Sequence, residues 1–583
     1  MARETKPQLE PVMAAYRKIV MALFVLLVIG CSPAAGDDVE GIIVEGAITA
    51  PATSPPEPAG GANQLASDVP SNTPPVEEPA RTIDRLTVWV SPATPQQLQS
   101  QIRWGDDLAR VVNAQGANLR LVVLPASETP PSRYATWWYA LVAPFPTILD
   151  DVTLVDLQGA WRGTPPAHLA GWTIYMEEST RLAFQAVWGP VDRRVGQVAA
   201  AADILDMAWA ERPSLALVPF EQLDPRWKII RVDGLSPLDA DLQQEDYPLA
   251  LRFGLRSRAG VQFETHASLA SIALPDSNVD PSRMTTLIMT GVTALVRSTA
   301  LRMEERGVLY PALDVGMILN TADITHISNE VPFYDRCPPA QPLRESMRFC
   351  SDPRYIQLLQ AVGADVVELT GNHLLDWGQE AFIFTLEFYQ KSNMDYFGGG
   401  YDLDDARRPL LVEHNGNRLA FLGCNAIGPE TVFATSNSAG AAPCDGDWLV
   451  SKIQSLVAQG YLPIVTFQSI EVDDPRPHSS QRADSLQMAE AGAIIVSGSQ
   501  AHLPQAMAFF DNRFIHYGLG NLFFDQMAAW QRPQFIDRHV FYDGRYIHTE
   551  LITTMLEDSA RPRLMNDEER QSLLLRIFEV SGW

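Results

Sequence analysis

Lysine is nearly missing from this chain: of 44 basic residues in 583, only five are Lys, at positions 6, 18, 228, 391 and 452. None follows a Gly, so there is no phosphate-cradling P-loop. No His is followed by Glu and no two Cys are spaced CxxC, which removes two common metal motifs. Positive charge is short overall, 44 Lys+Arg against 70 Asp+Glu for a net −26. That excludes the usual nucleic-acid binder, which needs a basic face to displace phosphate counterions. Long apolar runs are missing too. The run Ile19–Ile29 has 11 residues, too few to cross a bilayer of about 30 Å as a helix. What remains is an ordinary folding composition, 46% hydrophobic and 20% charged. At about 150 residues per domain, the length predicts two or three cores. Pro, at 43 residues, exceeds the usual share of about 5% and points to a linker.

The short apolar run has the size of a signal-peptide core, and Arg17 and Lys18 precede it. It closes on Val28-Ile29-Gly30-Cys31, which resembles the bacterial lipobox. The resemblance implies a signal over 1–30, lipid attachment to Cys31, cleavage before it, and anchoring on the outer face of the cell membrane. The leader ahead of Arg17 carries Glu4 and Glu10, so Met13 is an alternative start. Four Cys are left, an even number in a disulfide-permitting compartment. Three connectivities are possible. Cys337–Cys350 and Cys424–Cys444 each close a short loop, worth about 3 kcal/mol in the chain-entropy model, and are the expected pairs. Residues 32–83 hold nine Pro and eight acids, no aromatic residue, and no basic residue before Arg81. Such a stretch cannot bury enough apolar surface to offset its ordering entropy, so 31–83 reads as a disordered acidic tether.

Folding is expected from Leu86-Thr87-Val88-Trp89-Val90 onward. Strand and helix signals alternate through Leu119–Leu124, Tyr139–Val142, Leu182–Trp188, Val198–Glu211 and Leu215–Pro219, the pattern of an α/β sheet. The segments Tyr139–Phe145, Leu154–Gly163, Val232-Asp233-Gly234 and Tyr247-Pro248-Leu249 resemble the periplasmic phosphate-binding type of solute receptor. The resemblance implies a two-lobed α/β domain over 84–270. Its chemical piece is Glu178-Ser179-Thr180-Arg181. Hydroxyls of Ser179 and Thr180 at a helix start, with Arg181 beside them, would suit an oxyanion. The receptor family has a Gly between the Ser and Thr, which this chain lacks. An ordinary Ser/Thr helix cap is the alternative.

The second region, 283–583, carries the sharper motifs. Strands are expected at Thr286–Thr290, Asp323–Glu330, Val366–Thr370, Leu419–Gly423, Ile464–Phe467, Ile494–Ser497 and Phe514–Tyr517. Helices are expected at Arg297–Glu305 and Gln379–Gln390. Polar residues collect just after these strands, where open α/β sheets place their sites. The blocks Asn372–Gly378, Gly398–Tyr401 with Asp405–Pro409, Ala491–Ala493 with Ser499–His502, and Tyr517–Asp525 resemble the CapA family of capsule biosynthesis. That family is associated with poly-γ-glutamate and with a four-layer metallophosphatase-like α/β sandwich.

A binuclear phosphatase site needs hard carboxylates and several imidazoles. Against the family pattern, Gly291-Val292 lacks the usual Asp, and Phe467-Gln468 stands where a His-Trp pair is common. In the last block Ser499 and Gln500 replace other ligands and leave His502. The surviving candidates are Glu330, Asn372, His373, Glu471 and His502 for catalysis. Asn329, Asp376, Gln468 and Gln500 join Ser179, Thr180 and Arg181 as ligand-binding candidates. Glu330, Asn372, His373 and His502 could hold one divalent metal ion, hardly two, or act without metal as acid and base. Caps and backbone bonding are the alternative roles for Asn372, Asp376 and His502; core or surface roles suit the other histidines. The resemblance implies a surface lipoprotein acting on, or retaining, an anionic polymer, alone or with its synthase complex. A metallophosphoesterase-like hydrolase and a non-catalytic anion-binding lipoprotein are the alternatives. No nucleic-acid partner is expected.

Overall fold

The computed structural model describes residues 86–583 apart from 107, 132, 244, 259–271 and 343–346. The signal segment, Cys31 and the tether lie outside the described residues, as does His266. Residues 84–583 group as one compact unit of mixed α/β structure.

The first part is built on a nine-stranded sheet. Its order runs Leu108–Arg110, Leu86–Val90, Leu119–Leu124, Ala250–Ser257, Tyr134–Pro144, Ser214–Pro219, Thr173–Met176, Gly196–Val198, with Trp227–Ile229 added against Tyr134–Pro144. The central strand Tyr134–Pro144 is buried from Ala135 on, which explains its continuous apolar run. The expected strand at 139–142 is thus the middle of a longer one. The segment 182–188 belongs to a helix, Glu178–Trp188, and 198–211 to a helix at Ala201–Ala210.

Among the described residues, two large sheets and a two-stranded pairing of Gly399–Gly400 with Gly440–Ala441 make up the second part. One has eight strands, in the order Asp395–Phe397, Val366–Glu368, Ile324–Asn329, Met284–Thr290, Pro533–Tyr542, Arg545–Glu557, Arg561–Leu564, with Val292–Thr293 added against Ile324–Asn329. Its first four are parallel, with Leu287 opposite Ile324 and His326 opposite Val366. The other has six, in the order Leu410–His414, Asn417–Asn425, Leu462–Gln468, Ile495–Ser497, Arg513–His516, Met507–Phe510, again with a parallel centre. Leu287, Met289 and Val366 of the first sheet share one apolar cluster with Phe421, Ile464, Ile495 and Phe514 of the second. Helices cover the other faces: Phe382 and Leu386 pack with Ile327 and Val367, while Leu449, Ile453 and Met488 pack with Leu422 and Val465. Phe145 from the first part enters the inter-sheet cluster, edge-on to Phe509 at 5.2 Å.

Buried histidines occupy core positions. His326 Nε2 lies 3.3 Å from Glu368 Oε2, and His516 Nδ1 2.6 Å from Asp537 Oδ2, all four residues buried. His539 and His548 are driven down, to about 4 and about 3, by burial, and so stay neutral. Both expected disulfides, Cys337–Cys350 and Cys424–Cys444, are formed.

The parallel strands of the two sheets end on the same side, and the segment 517–525 threads between their ends. Val292 N–H donates to Gly520 O at 3.0 Å and Leu522 N–H to Val292 O at 2.7 Å. This crossing demands glycine: a Cβ at Gly291 would fall 1.9 Å from Gly520 O, and one at Gly498 1.8 Å from Tyr517 O. Both obstacles are backbone, so neither can swing away. Gly498→Ala should therefore lower stability by at least about 1–3 kcal/mol, the usual cost of overpacking. Urea unfolding checks this; an unchanged midpoint would contradict the close crossing.

Candidate functional site

The strand Ile324–Asn329 is buried along its whole length and delivers Glu330 to its carboxyl end. Glu330 N–H donates to Thr293 O at 3.0 Å, and Gly371 lies so close that a Cβ there would sit 2.7 Å from Glu330 Cα. The Glu330 carboxylate is thereby fixed in the interior, its residue only 2% exposed. His502 arrives from the turn after Ile495–Ser497, and its Nε2 lies 3.6 Å from Glu330 Oε1. Glu471, beyond the end of Leu462–Gln468, places Oε1 3.7 Å from the same nitrogen. One ligand atom from each of Glu330, Glu471 and His502 lies within 4.8 Å of the others.

The other ring nitrogen of His502 is 2.8 Å from Asn521 Oδ1, so Nδ1 carries the proton and Nε2 faces the two carboxylates. Burial works against charge on this imidazole, but Glu330, Glu471 and the Asn521 acceptor outweigh it and push its pKa up to about 9. Burial likewise works against the Glu330 carboxylate, yet His502, His373 and Arg297 hold its pKa below the ordinary value. The pair is therefore an imidazolium facing carboxylates when no metal is bound.

His373 forms the second imidazole position. It follows the strand Val366–Glu368, and its Nδ1 is 2.8 Å from Asp376 Oδ2, which also accepts from Phe349 N–H at 2.7 Å. Burial disfavours its charge, but Asp376, Glu330 and Glu471 raise its pKa above the ordinary value. Asp376 thus orients His373 and does not cap the helix Gly378–Lys391, whose N-cap is Trp377 with no side-chain bond. His502 bonds a side chain, Asn521, and not merely backbone.

A stack of aromatic rings ties the two imidazoles together. Phe349 packs edge-on to His373 at 4.8 Å, and Phe524 stacks on His502 at 5.4 Å. The Arg297 guanidinium lies between these rings, 5.1 Å from Phe349 and 4.9 Å from Phe524. Its fork is held by Asp525, which also accepts from Ser298 N–H at 3.0 Å. Arg297 takes the left-handed conformation, φ 47°, which costs a non-Gly residue about 1–2 kcal/mol. Phe349, Asn521, Phe524 and Asp525 carry no catalytic chemistry of their own, and residue type alone does not single them out. The Tyr517–Asp525 block is the signal that could have found three of them.

Several polar atoms at these strand ends have no hydrogen-bond partner among the described residues: Asn372 Oδ1, Gln500 Oε1, and both amide atoms of Gln468, a fully buried residue. Gln500 Nε2 donates to Ser328 Oγ at 2.7 Å. Asn329 turns away, donating to Val331 O at 2.6 Å, and serves the backbone. Ser179, Thr180 and Arg181 are not brought to this cluster by any contact described. Their helix begins at Glu178 with Glu177 as N-cap, so the expected Ser/Thr cap does not form. Arg181 is engaged by Glu178 Oε1 and Oε2 one turn away, and Thr180 is buried without a partner for its hydroxyl. Two acids at that helix start oppose an oxyanion, whose charge they would repel.

With divalent ions chelated, the raised pKa of His502 makes the folded state bind a proton more tightly than the unfolded chain. The stabilisation is complete below about 6.5 and is lost as pH rises through about 9. Thermal midpoints should fall across that interval, and His502→Gln should flatten the fall. A wild-type midpoint that stays level there would refute the charged imidazole.

Comparison with known proteins places this geometry. Residues 286–526 match the family described as bacterial capsule synthesis protein PGA_cap. The PGA biosynthesis protein CapA of Bacillus subtilis (strain 168) is 30% identical over 182 residues, covering 31% of this chain and 47% of that protein. The capsule biosynthesis protein CapA of Bacillus anthracis is 26% identical over 214 residues, covering 36% of this chain and 52% of that protein. The chain thus spans about half the length of the curated relatives it matches. Among solved structures, an ABC-type phosphate transport receptor from Vibrio cholerae aligns at 15% identity and TM-score 0.25, covering 32% of this chain and 90% of its own. A 5'-nucleotidase precursor from Thermus thermophilus aligns at 12% identity and TM-score 0.30, covering 51% and 58%. Structural scores this low carry no weight for fold or function. The family match covers every residue of the cluster at the strand ends, so the region that carries the site is the region similar to the PGA_cap family of bacterial capsule synthesis proteins.

Proposed function

We propose that this chain is an exported, lipid-anchored surface protein that acts in capsule or poly-γ-glutamate-type polymer synthesis, attachment or processing. In this reading the second part is a four-layer metallophosphatase-like sandwich whose phosphatase site has been cut down to one centre. The anchor is Cys31, the tether 31–83 spaces the folded part from the membrane, and the 84–270 region is a receptor-like domain. An anionic polymer or its synthase complex is the partner. Among the described residues, no helix is long and apolar enough to cross a membrane.

The observation that carries the reading is the convergence of Glu330, Glu471 and His502 beside an independently oriented His373. Two carboxylates and one imidazole nitrogen fit one hard divalent ion, and the unpartnered Asn372 Oδ1 adds a neutral oxygen donor. A bound ion would act as a Lewis acid on a carbonyl or phosphoryl oxygen. His373, oriented by Asp376, serves as the general acid or base. A buried amide without partners costs about 1–3 kcal/mol, and the two unpartnered amide atoms of Gln468 make it the residue placed to bond a substrate's own polar backbone. The phosphoesterase alternative is weakened by Val292, which stands where the family usually has an Asp and so removes one carboxylate ligand from a two-metal site.

The test uses the protein in its lipid-free, disulfide-intact form with a γ-linked glutamate polymer of defined length and Mn²⁺. Shortening or transfer of the polymer should fall at least about 100-fold in His373→Ala and His502→Ala, the usual scale for losing a general acid or base. Mn²⁺ should raise the thermal midpoint of the wild type and not of Glu330→Gln. Polymer bound without turnover, unaffected by either His substitution, would leave a retention role without catalysis. Hydrolysis of a chromogenic phosphodiester under the same conditions would replace the polymer reading by the phosphoesterase one.

A further inference from the structure

A cavity of about 560 Å³, separate from the cluster at the strand ends, is lined by residues of segments 145–150, 228–240, 538–553 and 564–578 together with Thr286, Ile318 and Thr321. Its size falls in the range of small-molecule sites, roughly 300–1,000 Å³. One side of its lining is apolar: Phe145, Leu551, Met565, Leu574 and Phe578. The rest carries four cations, Lys228, Arg231, Arg538 and Arg570, against three carboxylates, Asp150, Asp239 and Glu550.

These charges do not cancel evenly. Asp239 takes both terminal nitrogens of Arg231, at 3.0 and 3.1 Å. Asp150, by contrast, is shared: Lys228 Nζ lies 2.7 Å from its Oδ1 and Arg570 Nη2 2.9 Å from the same atom. Lys228 is saturated, because it also donates to Thr147 O and Ile148 O at 2.7 and 3.1 Å. Among the described residues, Arg570 makes that one side-chain contact, and Arg538 makes one, Nη1 to Glu550 Oε2 at 3.1 Å. Each guanidinium carries five N–H donors, so both keep most of theirs available. They are partly buried, 26% exposed for Arg538 and 20% for Arg570, which lowers the screening that would otherwise weaken them.

We propose that this cavity binds a small organic anion, a carboxylate or sulfonate head on an apolar body, with the head on Arg538 and Arg570 and the body against Leu551, Met565, Leu574 and Phe578. A surplus of one positive charge in a chain of net −26 favours an anion over a cation there. The apolar wall disfavours inorganic phosphate, which would leave it wet. The inference is independent of the chemistry at Glu330, Glu471 and His502.

The probe is 8-anilinonaphthalene-1-sulfonate, whose fluorescence rises on entering an apolar site. The folded wild-type protein should bind it saturably, and decanoate should displace it at least about 10-fold more tightly than decanol, since charge-assisted pairs are the strong ones. Arg538→Gln and Arg570→Gln should each weaken the probe about 5–10-fold, and Leu574→Trp, which fills the cavity, should do the same without removing charge. Circular dichroism and an unchanged thermal midpoint establish that each variant is folded. Absence of saturable binding, equal displacement by decanol, or unchanged affinity in a folded double Arg variant would overturn the proposal.

Discussion

A carboxylate almost out of contact with water sets the terms for the second part of this molecule. Burying an unpaired charge is among the most costly things a fold can do, so Glu330 has to be met by positive charge from every side. His502 meets it directly at 3.6 Å, and His373 and Arg297 act from further off. Each of those partners then needs its own support. His502 leans on Asn521, His373 on Asp376, and Arg297 on Asp525. Asn521 and Asp525 come from the segment after Arg513–His516 and Asp376 from the loop after Val366–Glu368, so one acid in the interior ties both sheets to one point.

That dependence explains why the backbone crosses so tightly there. For His502 and Asn521 to reach Glu330, the segment after Arg513–His516 must pass between the ends of both sheets. The Gly291–Gly520 and Gly498–Tyr517 approaches are the geometric consequence. The Phe349–Arg297–Phe524 stack completes the frame, since one cation in contact with two rings couples both imidazoles to Glu330. Side chains held on rigid elements by packed neighbours are what a precise site requires.

Much of this is legible in residue order, because parallel strands buried on both faces announce themselves as short apolar runs. The runs at 286–290, 324–329 and 464–467 show that pattern and lie in strands. The spacing of the four remaining Cys points to the two bridges that form. Glu330, His373, Glu471 and His502 are legible as polar residues after strands, although they are scattered across residues 330–502. What is not legible is partnership. Asp376 reads as a helix cap by position, yet a tertiary contact with Phe349 turns its carboxylate toward His373. Ser179 and Thr180 read as a cap or an anion site, but the helix starts one residue earlier and Glu178 takes Arg181. Local rules rank such roles, and a competing neighbour one turn away decides them.

Net charge changes its meaning once these pairings are known. With 70 acids and 44 bases, a typical Arg in this chain finds a carboxylate, as Arg181, Arg231, Arg297 and Arg563 all do. The −26 therefore describes a surface that repels a polyanion over most of its extent, while leaving isolated points where cations go unmatched. A polymer of the same sign could be engaged only at such a point, one monomer or chain end at a time. At the Glu330 centre two carboxylates face one imidazole, so only a bound divalent ion would offer an anion the Lewis-acidic contact that the open surface lacks. Under the proposed polymer reading, such a contact would act on one end or one linkage at a time and would need no extended binding track.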